Sequence, residues 1–522
     1  MHRLAGPIIG LVLTLAGTLS IATSQATPAS LAEGEPLYYN QITTLEDDSG
    51  SVGYPVLSAD GTTAVFVEAP GTSDPAIPNR IFVIGSDGSG LTEVDAYQTL
   101  CFCGSMVDIS ADGATVVSTD GVQVRIADAG SARELVSLTS GEITSLVIAG
   151  DGETVFFIVR RDTATMDGAT PLPRGVWAID ADGRDLRQVV GAEDVADAAG
   201  VAAEETGCCF HSDGHPLDAS SSGGHVVFGT YAGDGEHVFA IDGDGSNLTV
   251  LRESVVYAMR VAISGDGATV AYDVMPQGAD VNEVAVVPFT GGEPKVLEGI
   301  PNSGWDEPLQ LSDDGSQLLV SPNSYLVDTA TGAIRQLAVH TPGADNQTPL
   351  LVDGMPRATM DAGARRFLYV IRSTRCADCP NMQEQLATLD IGGEPQDDMP
   401  TITNAPILPD EIPLNFTAAA TASAEVEGSG TQIAVGVVAL RDGRYDVNVG
   451  RDGILHDDGL EGDVTANDGV FTNNAIVHLA AEARDDDTGL RTARFQAEFE
   501  TSDGLRHAVA VDAATLTVIA GP

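Results

Sequence analysis

Short runs of alternating apolar residues recur along most of the chain, each preceded by a turn of small and acidic residues. Ser58-Ala59-Asp60-Gly61 stands before Ala64–Val67, and Ser110-Ala111-Asp112-Gly113 before Thr115–Val117. Gly150-Asp151-Gly152 precedes Val155–Ile158, and Ser221-Ser222-Gly223-Gly224 precedes Val226–Phe228. Ser264-Gly265-Asp266-Gly267 leads to Val270–Tyr272, Ser312-Asp313-Asp314-Gly315 to Leu318–Val320, and a weak copy, Asp361-Ala362-Gly363, to Phe367–Val370. These seven copies recur on average roughly every 45–50 residues, the period of propeller blades.

The motif is turn chemistry. Asp accepts backbone amides, and Gly takes the positive φ that lets two strands fold back. A second turn class follows most copies: Ser86-Asp87-Gly88, Asp180-Ala181-Asp182-Gly183, Asp242-Gly243-Asp244-Gly245, Phe289-Thr290-Gly291-Gly292 and Asp328–Gly332. Each unit therefore reads strand, turn, strand, loop, strand, turn, strand, which is one blade of four antiparallel strands. Tyr38–Leu45 reads as an outer strand with no blade before it, so it is expected to complete the last blade and close the ring. Both turn classes then lie on one face. The longer connections, 69–80, 95–105, 161–173, 191–218, 339–355 and 372–383, lie on the other. Long loops on a rigid scaffold are where binding sits, so that second face is the expected functional face.

These repeats resemble the WD40-like repeats of TolB-type β-propellers, most closely at Ser264–Tyr272. The resemblance covers most of residues 36–400 and implies a propeller of about seven blades. It implies little about function, because the family holds partner-binding scaffolds, peptidase gating domains and a few enzymes.

Pro400, Pro406, Pro409 and Pro413 mark a linker, and alternating strands follow over 401–522 at a spacing that suggests an immunoglobulin-like β-sandwich. The whole chain is thus expected to be all-β. Leu455–Phe471 resembles an Asp-Asp-Gly…Gly-Asp…Asp-Gly-aromatic signature of sandwich modules appended to bacterial surface and secreted proteins. Asp457, Asp458, Asp463, Asn467 and Asp468 place hard oxygen donors on a Gly-flexed loop, a candidate calcium site. The same residues also suit Asx-turns, in which each Asp caps backbone amides, and EF-hand spacing is missing.

The N-terminus points to a compartment, and composition removes some functions. Met1-His2-Arg3, an apolar run from Leu4 to about Ala22, and Ser24-Gln25-Ala26 follow the pattern of a secretory signal peptide over 1–26, so a periplasmic or extracellular protein is expected. No later stretch is apolar enough to span a bilayer. The net charge is −51, from 76 acidic and 25 basic residues, and Lys295 is the only lysine. Nucleic acid is therefore not an expected partner, since polyphosphate needs a basic face.

Six cysteines fall in three close pairs, Cys101 with Cys103, Cys208 with Cys209 and Cys376 with Cys379, all on the loop side. Export favours disulfides, with 15 pairings open to six cysteines. The alternative is a metal site at Cys208, Cys209, His211 and His215. Asp485-Asp486-Asp487 reads as a solvated loop.

Catalytic motifs are scarce. There is no Gly-x-Ser-x-Gly elbow, no phosphate-cradling Gly-x-x-x-x-Gly-Lys and no His-Glu-x-x-His. The expected function is an exported, non-catalytic scaffold whose loop face binds a protein or a glycan, with calcium the one expected cofactor. The alternative is a metal-dependent extracellular polysaccharide lyase or hydrolase working at that face.

Overall fold

The computed structural model describes residues 34–45, 51–69, 78–97, 106–128, 131–140, 142–202, 216–233, 235–276, 278–279, 282–300, 309–321, 324–338, 358–373, 383–393, 398–414, 419–446, 449, 453–460, 463, 465–478 and 487–520. The signal segment over 1–26 lies outside these residues. So do the disulfide candidates Cys101, Cys103, Cys208, Cys209, Cys376 and Cys379, and with them His211 and His215 of the alternative metal site.

Each predicted unit is a four-stranded antiparallel blade. Blade 1 is Ser51–Leu57, Thr63–Ala69, Asn79–Gly85 and Thr92–Tyr97; blade 2 is Val107–Ile109, Thr115–Thr119, Gln123–Asp128 and Ser131–Ser137. Blade 3 is Ile143–Ile148, Thr154–Val159, Gly175–Asp180 and Arg187–Gly191. Blades 4 and 5 form one seven-stranded sheet, because Thr249–Ile263 runs without a break from the outer strand of blade 4 into the inner strand of blade 5. Val255 is the hinge of that strand, pairing with Glu236 in blade 4 and Pro276 in blade 5. Blade 6 spans Leu309–Leu311 to Ile334–Gln336.

Blade 7 takes Thr359–Met360, Arg366–Ser373 and Gln383–Ile391 from one end of the chain and Leu37–Gln41 from the other. The expected closing strand is therefore present, from Leu37↔Ile391 to Gln41↔Ala387.

Seven apolar clusters fill the seven gaps between consecutive blades. Strand alternation explains how: Val147 packs with blade 4 and its neighbour Ile148 with blade 2. The gap between blades 7 and 1 is filled like the others, by Leu368, Val370 and Leu386 against Val52, Leu57 and Phe66.

The C-terminal part is a two-layer β-sandwich. One layer pairs Ala420–Glu427 with Thr401–Thr403, Ile407–Leu408 and Val470–Ile476. The other pairs Thr431–Arg441, Gly489–Glu500 and Arg506–Ile519. Val435, Val437, Phe495, Val509, Leu516 and Val518 meet Ile407, Ala422, Ala424 and Phe471 in its core. The proline-rich boundary is not a free spacer, because its residues pair into both layers, Glu411–Pro413 lying parallel to Thr517–Ile519.

Sequence patterning did not reveal how the two parts join. Leu37–Asn40 pairs on one edge with blade 7 and on the other with the last strand, from Leu37↔Ala510 to Asn40↔His507. Blade 7 and the second sandwich layer are thus one continuous sheet.

Candidate functional site

The face carrying the Asp-Gly turns satisfies its own polar groups. In the Ser58 turn, Ser58 Oγ donates to Asp60 Oδ1 at 2.6 Å and Asp60 Oδ1 accepts the Thr62 amide at 2.9 Å. The amide of Thr63 returns to Ser58 Oγ, and that of Gly61 to the Ser58 carbonyl. Ser110/Asp112, Ser264/Asp266 and Ser312/Asp314 repeat this pattern. Despite desolvation, which pushes the other way, these bonds hold the carboxyls of Asp60 and Asp314 below the ordinary range; amide and hydroxyl donors do the same for Asp112.

The turns also bond to one another in a complete ring. The amides of Asp60, Ala111, Asp151, Ser221, Asp266, Asp313 and Ala362 donate to the carbonyls of Ala111, Gly150, Ser221, Gly265, Asp313, Ala362 and Ala59. Every donor reaches the next blade, and the seventh returns to the first.

Just inside this ring, one row of the inner strands clasps blade to blade. Asp108 Oδ2 accepts the Ile148 amide at 2.9 Å and Asp218 Oδ2 the Ile263 amide at 2.8 Å. Gln310 bonds both the amide and the carbonyl of Met360, and Thr359 Oγ1 accepts the Leu57 amide. The matching positions in blades 1, 3 and 5 are the apolar Val56, Val147 and Ala262. Burial pushes the carboxyls of Asp108 and Asp218 up to about 7, against their amide donors, and Asp108 adds to the rise at Asp218. Sequence reasoning passed over these two residues. Their signal was a lone Asp between apolar residues just ahead of a turn, Val107-Asp108-Ile109 and Leu217-Asp218-Ala219.

The opposite face differs in kind. Of its connections, 163–172 is a short hairpin instead of an open loop, pairing Thr163↔Leu172 and Ala164↔Pro171. It also leans on blade 2 through a Leu138↔Thr165 bridge, and it carries Met166 at its tip, 59% exposed. The connection after blade 3 opens with a helix, Ala192–Ala199, which ends at Gly200 in the left-handed conformation. Buried charge gathers in this half of the disc. Glu68 pairs with Arg80, Asp95 lies 2.8 Å from Arg125, and Arg260 pairs with Asp273, both fully buried. Of the histidines in the described propeller strands, His237 is buried, its Nε2 2.9 Å from the Ala232 carbonyl, while His225 stacks on Phe289 on the turn side. The cysteine loops expected on this face, with Cys101 and Cys103, Cys208 and Cys209, and Cys376 and Cys379, lie outside the described residues, so the geometry bears on neither the disulfides nor the alternative metal site at His211 and His215.

In the sandwich, carboxylate oxygens of Asp457, Asp463 and Asp468 lie within 4.8 Å of one another. Asp458 is not among them, its Oδ1 capping the Leu460 amide, and Asn467 turns the chain at φ 62°. The three acids also cap amides. Asp457 accepts those of Asp468 and Gly469, Asp463 those of Gly459 and Thr465, and Asp468 that of Val470. Both expectations for this loop therefore have a basis in its geometry, since an amide-bonded carboxylate oxygen keeps a lone pair for a cation.

Among the described residues no helix is long and apolar enough to cross a membrane. No family model matches the chain, and no curated protein matches it. Several solved structures bear a loose likeness to the chain. An oligogalacturonate lyase in complex with manganese matches 69% of this chain and 98% of its own, at 13% identity and a TM-score of 0.44. TolB from Acinetobacter baumannii matches 55% of this chain and 63% of its own, at 15% identity and a TM-score of 0.34. A fungal alcohol oxidase of the AA5 family, in complex with copper, matches 90% and 99%, at 14% identity and a TM-score of 0.37. The class defined by fold and topology is an all-β chain, a seven-bladed propeller joined to a β-sandwich.

Proposed function

We propose that this chain is an exported, non-catalytic binding scaffold whose propeller receives a protein or a glycan on the face opposite the Asp-Gly turns. One observation carries the reading, the asymmetry between the faces. On the turn face the polar groups bond to one another around a closed ring. The longer connections between strands all leave from the other face, over a rigid disc. The signal-like segment over 1–26 supports export to the periplasm or the medium, and the sandwich, read as immunoglobulin-like, serves as a spacer or adhesive module.

The test uses the full mature protein, immobilised and probed with a glycan array and with purified exported proteins. Saturable binding should survive alteration of the turn face, as in Asp87→Asn with Asp244→Asn. It should be lost when 164–171 is replaced by a two-residue Asn-Gly turn. Binding that tracks the turn-face variant instead would place the site on the wrong side. Conversion of a bound polysaccharide, together with stoichiometric zinc, copper or manganese, would favour the lyase or hydrolase reading at Cys208, Cys209, His211 and His215.

Calcium at Asp457, Asp463 and Asp468 belongs to the same proposal, supported by their shared reach of 4.8 Å. The mature protein should then melt higher in millimolar calcium than in chelator. Asp463→Ala with Asp468→Ala should erase the difference, and equal melts for the unaltered protein would remove calcium from the account.

A further inference from the structure

We propose that the sandwich is the lock of the propeller, so that closing the ring and folding the C-terminal module are one cooperative event. In a ring closed by its own termini, the terminal strand is held on one edge alone. Here Leu37–Asn40 is held on both, by blade 7 and by the strand Arg506–Ile519.

Side-chain alternation turns that pairing into a shared interior. Leu37 and Tyr39 point into the cluster between blades 6 and 7, while Tyr38 packs against the sandwich core. The last strand does the same in mirror fashion. Ala508 and Ala510 enter the propeller cluster, and Val509 between them is part of the sandwich core. Two adjacent strands thus each contribute to two cores, and neither core is complete without them.

Polar contacts extend the attachment to blade 6. Arg494, 1% exposed, pairs with Asp512 at 2.7 Å and donates to the Gln336 carbonyl at 2.6 Å. Gln336 also donates its amide to the Gly443 carbonyl and accepts the Tyr445 amide at 2.8 Å. Tyr39 donates its hydroxyl to the Leu337 carbonyl, and His507 Nδ1 lies 2.9 Å from Asn40 Oδ1. Gly443 fits because it has no side chain: a Cβ there would lie 1.8 Å from the Ile334 carbonyl oxygen. The module therefore straddles blades 6 and 7, beside the strand that closes the ring, and makes these contacts at the outer strands.

Hydrogen exchange in the full chain tests the coupling, because locally opening units exchange together. Leu455 lies in the sandwich core and is 1% exposed. Leu455→Ala should speed exchange in Gly489–Glu500 by more than about tenfold. The amides of Gln383–Ile391 in blade 7 should accelerate by the same factor. Met360→Ala, in the propeller cluster, should reciprocally speed exchange in Gly489–Glu500. Where Leu455→Ala does not fold, Val449→Ala gives the milder perturbation of the same core. Faster exchange in the sandwich with no change in blade 7, or the reverse for Met360→Ala, would overturn the proposal.

Discussion

Asp108 and Asp218 hold two of the blade-to-blade clasps, and their protons matter to the clasp. Each carboxyl is pushed up to about 7 by burial, so the folded chain binds these protons more tightly than the unfolded one. Stability from this source is full below the ordinary carboxylate range and is lost as the pH climbs from about 4 to 7. The turn carboxyls of Asp60, Asp112 and Asp314 have the opposite sign. Held low, they contribute above the ordinary range and lose that contribution as the pH falls through their folded-state values. Asp108→Asn with Asp218→Asn should therefore raise the melting temperature at pH 8 and flatten its fall between pH 5 and pH 8. Water reaches both side chains in part, so we expect roughly 1–2 kcal/mol apiece. A double variant with an unaltered pH profile would show that other groups set it.

At the scale of elements, what counts is which strand a residue lends its charge to. Asp512 sits on the last strand and neutralises the buried Arg494 of its neighbour, and the arginine holds the Asp512 carboxyl low despite its desolvation. Asp512→Ala would leave a guanidinium buried without its carboxylate, at a cost of about 3–5 kcal/mol. The exposed pair Arg184–Asp182 is the contrast, where Arg184→Ala should change the denaturant midpoint by less than about 0.5 kcal/mol. Equal losses for the two would mean that burial does not decide the value of a pair here.

The same division explains what could be read from the sequence. Each blade was legible because turn and strand signals sit side by side, as in Ser264–Tyr272. In the acidic loop the spacing gave five oxygen donors, but not that Asp457, Asp463 and Asp468 gather while Asp458 caps the Leu460 amide, because that depends on backbone direction. The pairing of Leu37 with Ala510 left no local trace, since register between distant strands is set by packing. The prolines of 400–413 read as a spacer because their strands are too short to show alternation.

For the whole molecule, charge and topology pull in opposite directions. A net charge of −51 repels itself in any compact state, while seven interlocked blades and a sandwich hold it together. Raising the salt from 0.1 to 1 M shortens the screening length from about 10 to 3 Å. The melting temperature should therefore rise with sodium chloride, and more steeply at pH 8 than at pH 5, where protonation relieves part of the repulsion. A midpoint that falls with salt would mean that attractive pairs outweigh the surplus of acid.

The ring of seven turn-to-turn bonds has one more consequence. A helix is a line of peptide dipoles, so it ends in unmet donors at one pole and unmet acceptors at the other. These seven bonds all run in one rotational sense and meet themselves, each donor facing the next blade's carbonyl. Following one another around seven blades, their components in the plane of the disc cancel. At blades 1, 3 and 5 a single peptide accepts one bond and donates the next, through Ala59-Asp60, Gly150-Asp151 and Gly265-Asp266, so neighbouring bonds polarise each other there. The turn face is thus closed on itself, with no blade left as a terminal member of its ring.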